Sequence, residues 1–184
     1  MTKRPMRGRK NRERFRPSFR GFTLLELLVV MAIISTIASF VFGRISGVLE
    51  KARMSRASVE LTEISKATYQ YVIDAGGAWP ADVDRAIPPG VEAYLGPGNW
   101  PDAPWPGTVY DWDAFVGSDG KQVYQISIRF CPIGHPELCT FPDEDWAEDF
   151  DYYSSAYHCI QGKCRSHPSM PDTHPGHCLN CPSS

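Results

Sequence analysis

One carboxylate, Glu26, stands alone in a run that is otherwise uncharged from residue 22 to residue 43. A lone ionisable group in a segment of membrane-spanning length is costly to bury, so its default role is functional. The run opens Gly21-Phe22-Thr23-Leu24-Leu25-Glu26-Leu27-Leu28, directly after a strongly basic leader. Thiols and further carboxylates could carry other chemistry. All six cysteines lie beyond residue 130: Cys131, Cys139, Cys159, Cys164, Cys178 and Cys181. With His174 and His177 at short spacing from Cys178 and Cys181, and with Cys159 and Cys164 as further ligands, they could hold zinc. An even cysteine count in an exported segment favours disulfides instead, and sequence alone does not choose the pairing. A c-type haem needs Cys-x-x-Cys-His, and Pro182 follows Cys181. Asp111, Asp113 and Asp119 offer oxygen ligands to calcium, but not at the spacing of an EF-hand. Asp143, Glu144, Asp145, Glu148, Asp149 and Asp151 form a second acidic group. For both acidic groups a solvated face is the favoured reading, so no cofactor is expected and calcium is the alternative. No Gly-x-Ser-x-Gly, phosphate-binding glycine loop or His-Glu-x-x-His is present, and no enzymatic activity is expected.

The elements that position these groups follow from charge and periodicity. Of the 19 lysines and arginines and 21 acids, nine bases and the single acid Glu13 precede Phe22, which leaves ten bases and twenty acids beyond it. Basic flanks stay on the cytoplasmic side of a membrane, so the N-terminus is expected inside and the acidic remainder across the membrane. An arginine-rich arm could bind phosphate, but this one abuts an apolar span and an acidic body, so nucleic acid is not an expected partner. The leader has almost no apolar periodicity and reads as disordered before processing. Residues 22–43 are long enough to cross a bilayer core, for which about 20 residues are needed. The run is longer than the apolar part of an ordinary secretory signal, and its small residue precedes it, so the span is expected to be retained.

Beyond the span, Ile45, Val48, Leu49, Ala52, Val59, Leu61, Ile64, Ala67, Tyr71 and Val72 recur at three- and four-residue spacing among charged residues, the signature of an amphipathic helix. Gly43 and Gly47 are points where it could bend or pack closely. Gly76-Gly77 supplies the stop, since glycine accepts the left-handed cap conformation. A helix over 22–75 would be about 80 Å long at about 1.5 Å per residue. Seven prolines between 79 and 112 preclude long regular elements there, and the segment is expected to wrap the helix as an ordered loop anchored by Leu95, Trp100, Trp105 and Tyr110. Residues 115–130 read as an antiparallel hairpin about Gly117-Ser118-Asp119-Gly120. The tail, 131–184, is short of aliphatic residues and must be held by staples. The expected organisation is a leader (1–21), a transmembrane helix (22–43), the amphipathic half of that helix (44–77), a loop and small sheet (78–130) and a Cys-rich tail (131–184).

The basic leader, Gly21, Phe22 and Glu26 four residues on resemble the class III signal of type IV pilins and type II secretion pseudopilins. Two later stretches, Tyr71-Val72-Ile73-Asp74-Ala75-Gly76-Gly77-Ala78-Trp79-Pro80 and Tyr110-Asp111-Trp112-Asp113, are similar to the helix end and a Tyr-Asp-Trp stretch of secretion pseudopilins. The resemblance implies an α+β, pilin-like fold: one long N-terminal helix, membrane-spanning in its first half and amphipathic in its second, packed on a small antiparallel sheet with a disulfide-rich irregular tail. It implies cleavage between Gly21 and Phe22 by a prepilin peptidase, N-methylation of Phe22, and pairing of Glu26 with the terminal amine of a neighbouring subunit. The implied partners are like subunits in a filament and an inner-membrane platform with its ATPase. Some secretion pseudopilins bind calcium in a glycine-rich, acid-ended loop, a pattern this chain departs from. A pseudopilus subunit is the expectation. A type IV pilus subunit for adhesion, motility or DNA uptake is the first alternative, and a membrane-anchored binding or metal module that never polymerises is the second.

Overall fold

The computed structural model describes residues 21–96, 100–169, 171 and 176–181; of residues 40–46 only the backbone is described. Residues 1–20 of the leader, Pro97 and His174 lie outside the described residues. The chain divides into two units, Met1–Gly43 and Arg44–Ser184.

Helix α1, Leu24–Asp74, runs through both. Its end is a Schellman turn: Gly77 N–H donates to Val72 O (2.8 Å) and Gly76 N–H to Ile73 O (3.2 Å). Gly76 has φ +68, a conformation that side-chain-bearing residues enter at a cost, so the expected stop holds.

In the second unit a four-stranded sheet has the order β1-β2-β3-β4, with β1 at Val109–Val116, β2 at Gln122–Arg129, β3 at Ala156–Gln161 and β4 at His177–Cys178. The hairpin β1–β2 turns where expected: Gly117 N–H donates to Lys121 O (2.8 Å). Two expectations are corrected. The first strand begins at Val109 rather than 115, because Tyr110-Asp111-Trp112-Asp113 is itself paired strand, with Tyr110 opposite Ile128 and Trp112 opposite Ile126. The sheet is mixed rather than antiparallel. β2 pairs antiparallel with β3, but β4 pairs parallel with β3, because the tail crosses over after β3 and returns in the same direction.

Pleating gives the hairpin two faces. Tyr110, Trp112, Ile126 and Ile128 meet Ala57, Leu61 and Ile64 of α1 in the main core, with Trp105 and Phe130. Two carboxylates on α1 fix the helix against this layer: Glu60 accepts from Tyr110 Oη (2.7 Å), and buried Glu50 accepts from Trp105 Nε1. The sequence periodicity contains two stripes rather than one. Leu61, Ile64, Ala67 and Val72 are buried, whereas Val48, Leu49 and Val59 are exposed. The proline-rich segment closes the open edge of β1 through bridges Val83–Trp112 and Asp102–Val109, which blunts a strand edge that would otherwise invite pairing.

β3 ends at a tight point. Gly162 has φ +87, and a Cβ there would stand 2.7 Å from Gln122 O and 3.2 Å from Val123 Cα. Both neighbours are backbone and cannot rotate away. Gly162→Ala is therefore expected to destabilise the second unit by about 2 kcal/mol or more, read as a lower urea midpoint with the slope of the transition unchanged.

Candidate functional site

The N-terminal segment is built around Thr23 and Glu26. Thr23 N–H and Oγ1 both donate to Glu26 Oε2 (2.8 and 2.9 Å), and Glu26 N–H donates to Thr23 Oγ1 (3.2 Å). This is a capping box, a Thr-x-x-Glu pair that satisfies the orphan donors of a helix start. Sequence reasoning identified Glu26 but missed Thr23; the Thr-x-x-Glu spacing was the available signal. Gly21 and Phe22 precede the helix, and Phe22 is 86% exposed. The large apolar side chains between residues 24 and 37 are all exposed. The polar side chains among them turn inward on the helix: Ser35, Thr36 and Ser39 donate to carbonyls one turn back, at 2.7 to 2.8 Å. Such bonding suits a helix in a medium that offers no partners. Among the described residues no helix is long and apolar enough to cross a membrane; the apolar run continues into residues 40–43, whose side chains are outside the description.

The acidic groups are divided. Asp111 and Asp113, expected on a solvated face, are each 2% exposed; this corrects that expectation. They project from the face of β1 opposite the aromatics, and Arg129 on β2 lies between them, with Nε 2.5 Å from Asp111 Oδ2 and an Nη2 2.7 Å from Asp113 Oδ1. Ser127 Oγ and Gln125 Nε2 donate to Asp113 Oδ2 (2.6 and 3.0 Å), and Arg85 N–H donates to Asp111 Oδ1 (2.6 Å). The tail covers this polar layer: Gln125 Nε2 donates to Arg165 O (2.7 Å), and Arg165 N–H donates to Gln125 Oε1 (3.0 Å). Arg129 was not singled out from sequence, although its even spacing from Gln125 and Ser127 places all three on one face. Asp119 is not part of the layer; it accepts from Lys121 N–H within the hairpin turn (3.1 Å). Asp143, Asp145, Glu148, Asp149 and Asp151 are exposed. Among the described residues no group of three or more His, Cys, Asp or Glu is placed to hold a metal ion.

The cysteines pair in sequence order, Cys131–Cys139, Cys159–Cys164 and Cys178–Cys181, so the described thiols are crosslinked rather than arranged as zinc ligands. Each bridge closes a short loop of its own. His177 stacks on Trp146 with ring centroids 4.4 Å apart.

Burial raises the Asp113 carboxyl to about 6; Arg129 opposes the shift and Asp111 adds to it. The native chain thus keeps a proton over a range in which the unfolded chain has lost it. The stability contributed by this proton is complete below the ordinary value near 3.8 and is lost as the pH rises through about 6. Asp113→Asn is expected to flatten the fall in unfolding midpoint between pH 4 and 6.5, measured alongside the parent chain. Arg129→Met, which strands buried carboxylates, is expected to cost about 3–5 kcal/mol at pH 7 and less at pH 4.5, where Asp113 is neutral.

The segment that carries the capped, exposed apolar helix is also one that known proteins share. Residues 16–42 match the Prokaryotic N-terminal methylation motif. The chain is 40% identical over 55 residues to type II secretion system core protein G of Escherichia coli (strain K12), a match covering 30% of this chain and 38% of that protein. It is 39% identical over 54 residues to the core protein G of Vibrio cholerae serotype O1, covering 29% and 37%. The chain thus spans less than two fifths of the length of these curated relatives. No solved structure matches it at a significant level.

Proposed function

We propose that the chain is a structural subunit of a type II secretion pseudopilus. The observation that carries this reading is the N-terminal segment. It matches the methylation motif, it is part of a chain similar to core protein G, and it presents Glu26 at the head of an uncovered apolar helix. In this reading a prepilin peptidase cuts between Gly21 and Phe22, Phe22 is N-methylated, and residues 22–43 anchor the subunit in the inner membrane with the second unit in the periplasm. An ATPase-driven platform then lifts subunits into a filament. A bare carboxylate and a bare amine are both costly in a bilayer, and bringing them together offsets part of that cost. A misregistered subunit would leave the charge unpaired, so Glu26 sets axial register.

The exposed side of α1 supports the same reading. Val48, Ala52, Ser55, Val59 and Thr62 recur at spacings of four and three, and all are exposed. This uncharged stripe, opposite the one that packs on the sheet, suits the helix of a second copy. The three disulfides favour a durable surface role, which keeps the type IV pilus subunit as a second reading.

Glu26→Gln and Glu26→Ala separate the two jobs of the carboxylate. Glutamine can keep the capping box but carries no charge. Both variants are expected to be cleaved normally, and both to reduce assembled protein by about tenfold or more, on the scale of a lost buried ion pair. The measurement is quantitative mass spectrometry of the peptide beginning at Phe22, in sheared surface material and in washed membranes, with crosslinked multimers counted as assembled protein in either fraction. Normal assembly of the Gln variant would show that the charge is not what pairs subunits. Abundant methylated parent chain in the sheared fraction would select the pilus reading, and confinement to membranes the pseudopilus. Uncleaved protein would overturn both.

A further inference from the structure

Strand β3 has one edge bonded to β2, and among the described residues its other edge is closed by a short clasp. His177 N–H donates to Ser155 O (3.0 Å) and Leu179 N–H to Tyr157 O (2.8 Å). There the main-chain ladder ends and a side chain continues it. Asn180 Oδ1 accepts from Cys159 N–H (2.8 Å) and Nδ2 donates to Cys159 O (2.7 Å). One amide side chain thereby reproduces the donor and acceptor that another strand residue would offer. Asn180 lies inside the turn closed by the Cys178–Cys181 bridge, and Cys181 N–H points at Cys178 Sγ (3.1 Å).

We propose that the Cys178–Cys181 disulfide is a redox latch on this sheet edge. Of the three bridges it closes the shortest loop, with separation 3 against 5 and 8, so its loss weakens the rest of the fold least. Cys181 is exposed, whereas Cys131 is 3% exposed, and attack on a disulfide requires access to sulfur. The reductant is a dithiol of the thiol–disulfide exchange class. One of its thiolates attacks a sulfur of the bridge and its second thiol resolves the mixed disulfide. The dithiol is oxidised to its own disulfide, two electrons pass to the bridge, and Cys178 and Cys181 each leave as a protonated thiol. The turn then relaxes, Asn180 leaves Cys159, and a two-residue β4 is too short to persist alone. Ser155 O, Tyr157 O and both backbone groups of Cys159 become an open edge. The Cys159–Cys164 bridge stays closed, and β3 stays paired with β2. This inference does not depend on filament assembly.

The test treats the full chain with graded dithiothreitol, alkylates free thiols, maps them by mass spectrometry, and follows amide hydrogen exchange residue by residue. Cys178 and Cys181 are expected to alkylate together before the other four. At that stage the amides of Cys159, His177 and Leu179 should exchange about tenfold faster or more, with Trp112 and Ile126 unchanged. Asn180→Ala, with all bridges intact, should speed exchange at Cys159 alone. Earlier reduction of another pair, loss of all three in one step with global exchange, or unchanged exchange at Cys159 in either experiment would overturn the latch.

Discussion

Everything in the second unit answers to one constraint set by β1. The strand reads Tyr110-Asp111-Trp112-Asp113, and the pleat sends the rings to one face and the carboxylates to the other. The aromatic face needs a helix, and α1 supplies Ala57, Leu61 and Ile64 to the same buried cluster as the rings. The carboxylate face needs either water or compensation. The tail removes water, so compensation comes from within the chain: one guanidinium across both acids, a hydroxyl, an amide and a backbone N–H. These partners do not offset the whole cost of burial, so the Asp113 carboxyl is held above its ordinary value. Arg129 therefore does within the chain what a bound cation could do for a pair of acids.

The tail is held by a different physics. It has few aliphatic residues to bury, and it lies on a polar layer that yields little hydrophobic gain. Its order comes from Gln125 pairing with the Arg165 backbone, from Trp146 and Phe150 against Phe130, and from three bridges that each rigidify a few residues. Short-range disulfides remove little entropy from the unfolded chain as a whole. They fix local turns, so that side chains such as Asn180 reach their partners without further ordering cost.

The helix was legible because its signals are local: an apolar run, a three-and-four periodicity and a paired-glycine stop each report on a few neighbouring residues. The hairpin turn was legible for the same reason. The start of β1 was less so. Tyr-Asp-Trp-Asp alternates as a strand should, but a strand polar on one face is usually wet there, and nothing within the strand announces that residues fifty positions later will cover it. Arg129 was invisible as the partner of Asp111 and Asp113 because their meeting depends on hairpin register. The parallel β4 was beyond reach: two residues carry no periodicity, and their pairing rests on a crossover through the tail. Thr23, by contrast, was within reach, since a capping box is a spacing rule.

Thr23 alters how Glu26 is to be understood. In the intact chain the peptide nitrogen of Phe22 is an amide and offers no charge to pair with, and among the described residues the Thr23 capping donors are the partners of the carboxylate. A capping interaction stabilises a helix start by about 0.5–2 kcal/mol, enough to hold a rotamer but modest beside a charge pair in a low-dielectric medium. Under the proposed function, cleavage after Gly21 creates an amine one residue before Thr23, and the carboxylate then has its own chain's amine and a neighbour's as competing partners. The cap keeps Glu26 bonded until such a partner arrives. Because Oε2 accepts both Thr23 contacts, the second oxygen has room for an amine without loss of the cap. The helix start can then survive the formation of the subunit contact, and register can be selected without unwinding the first turn.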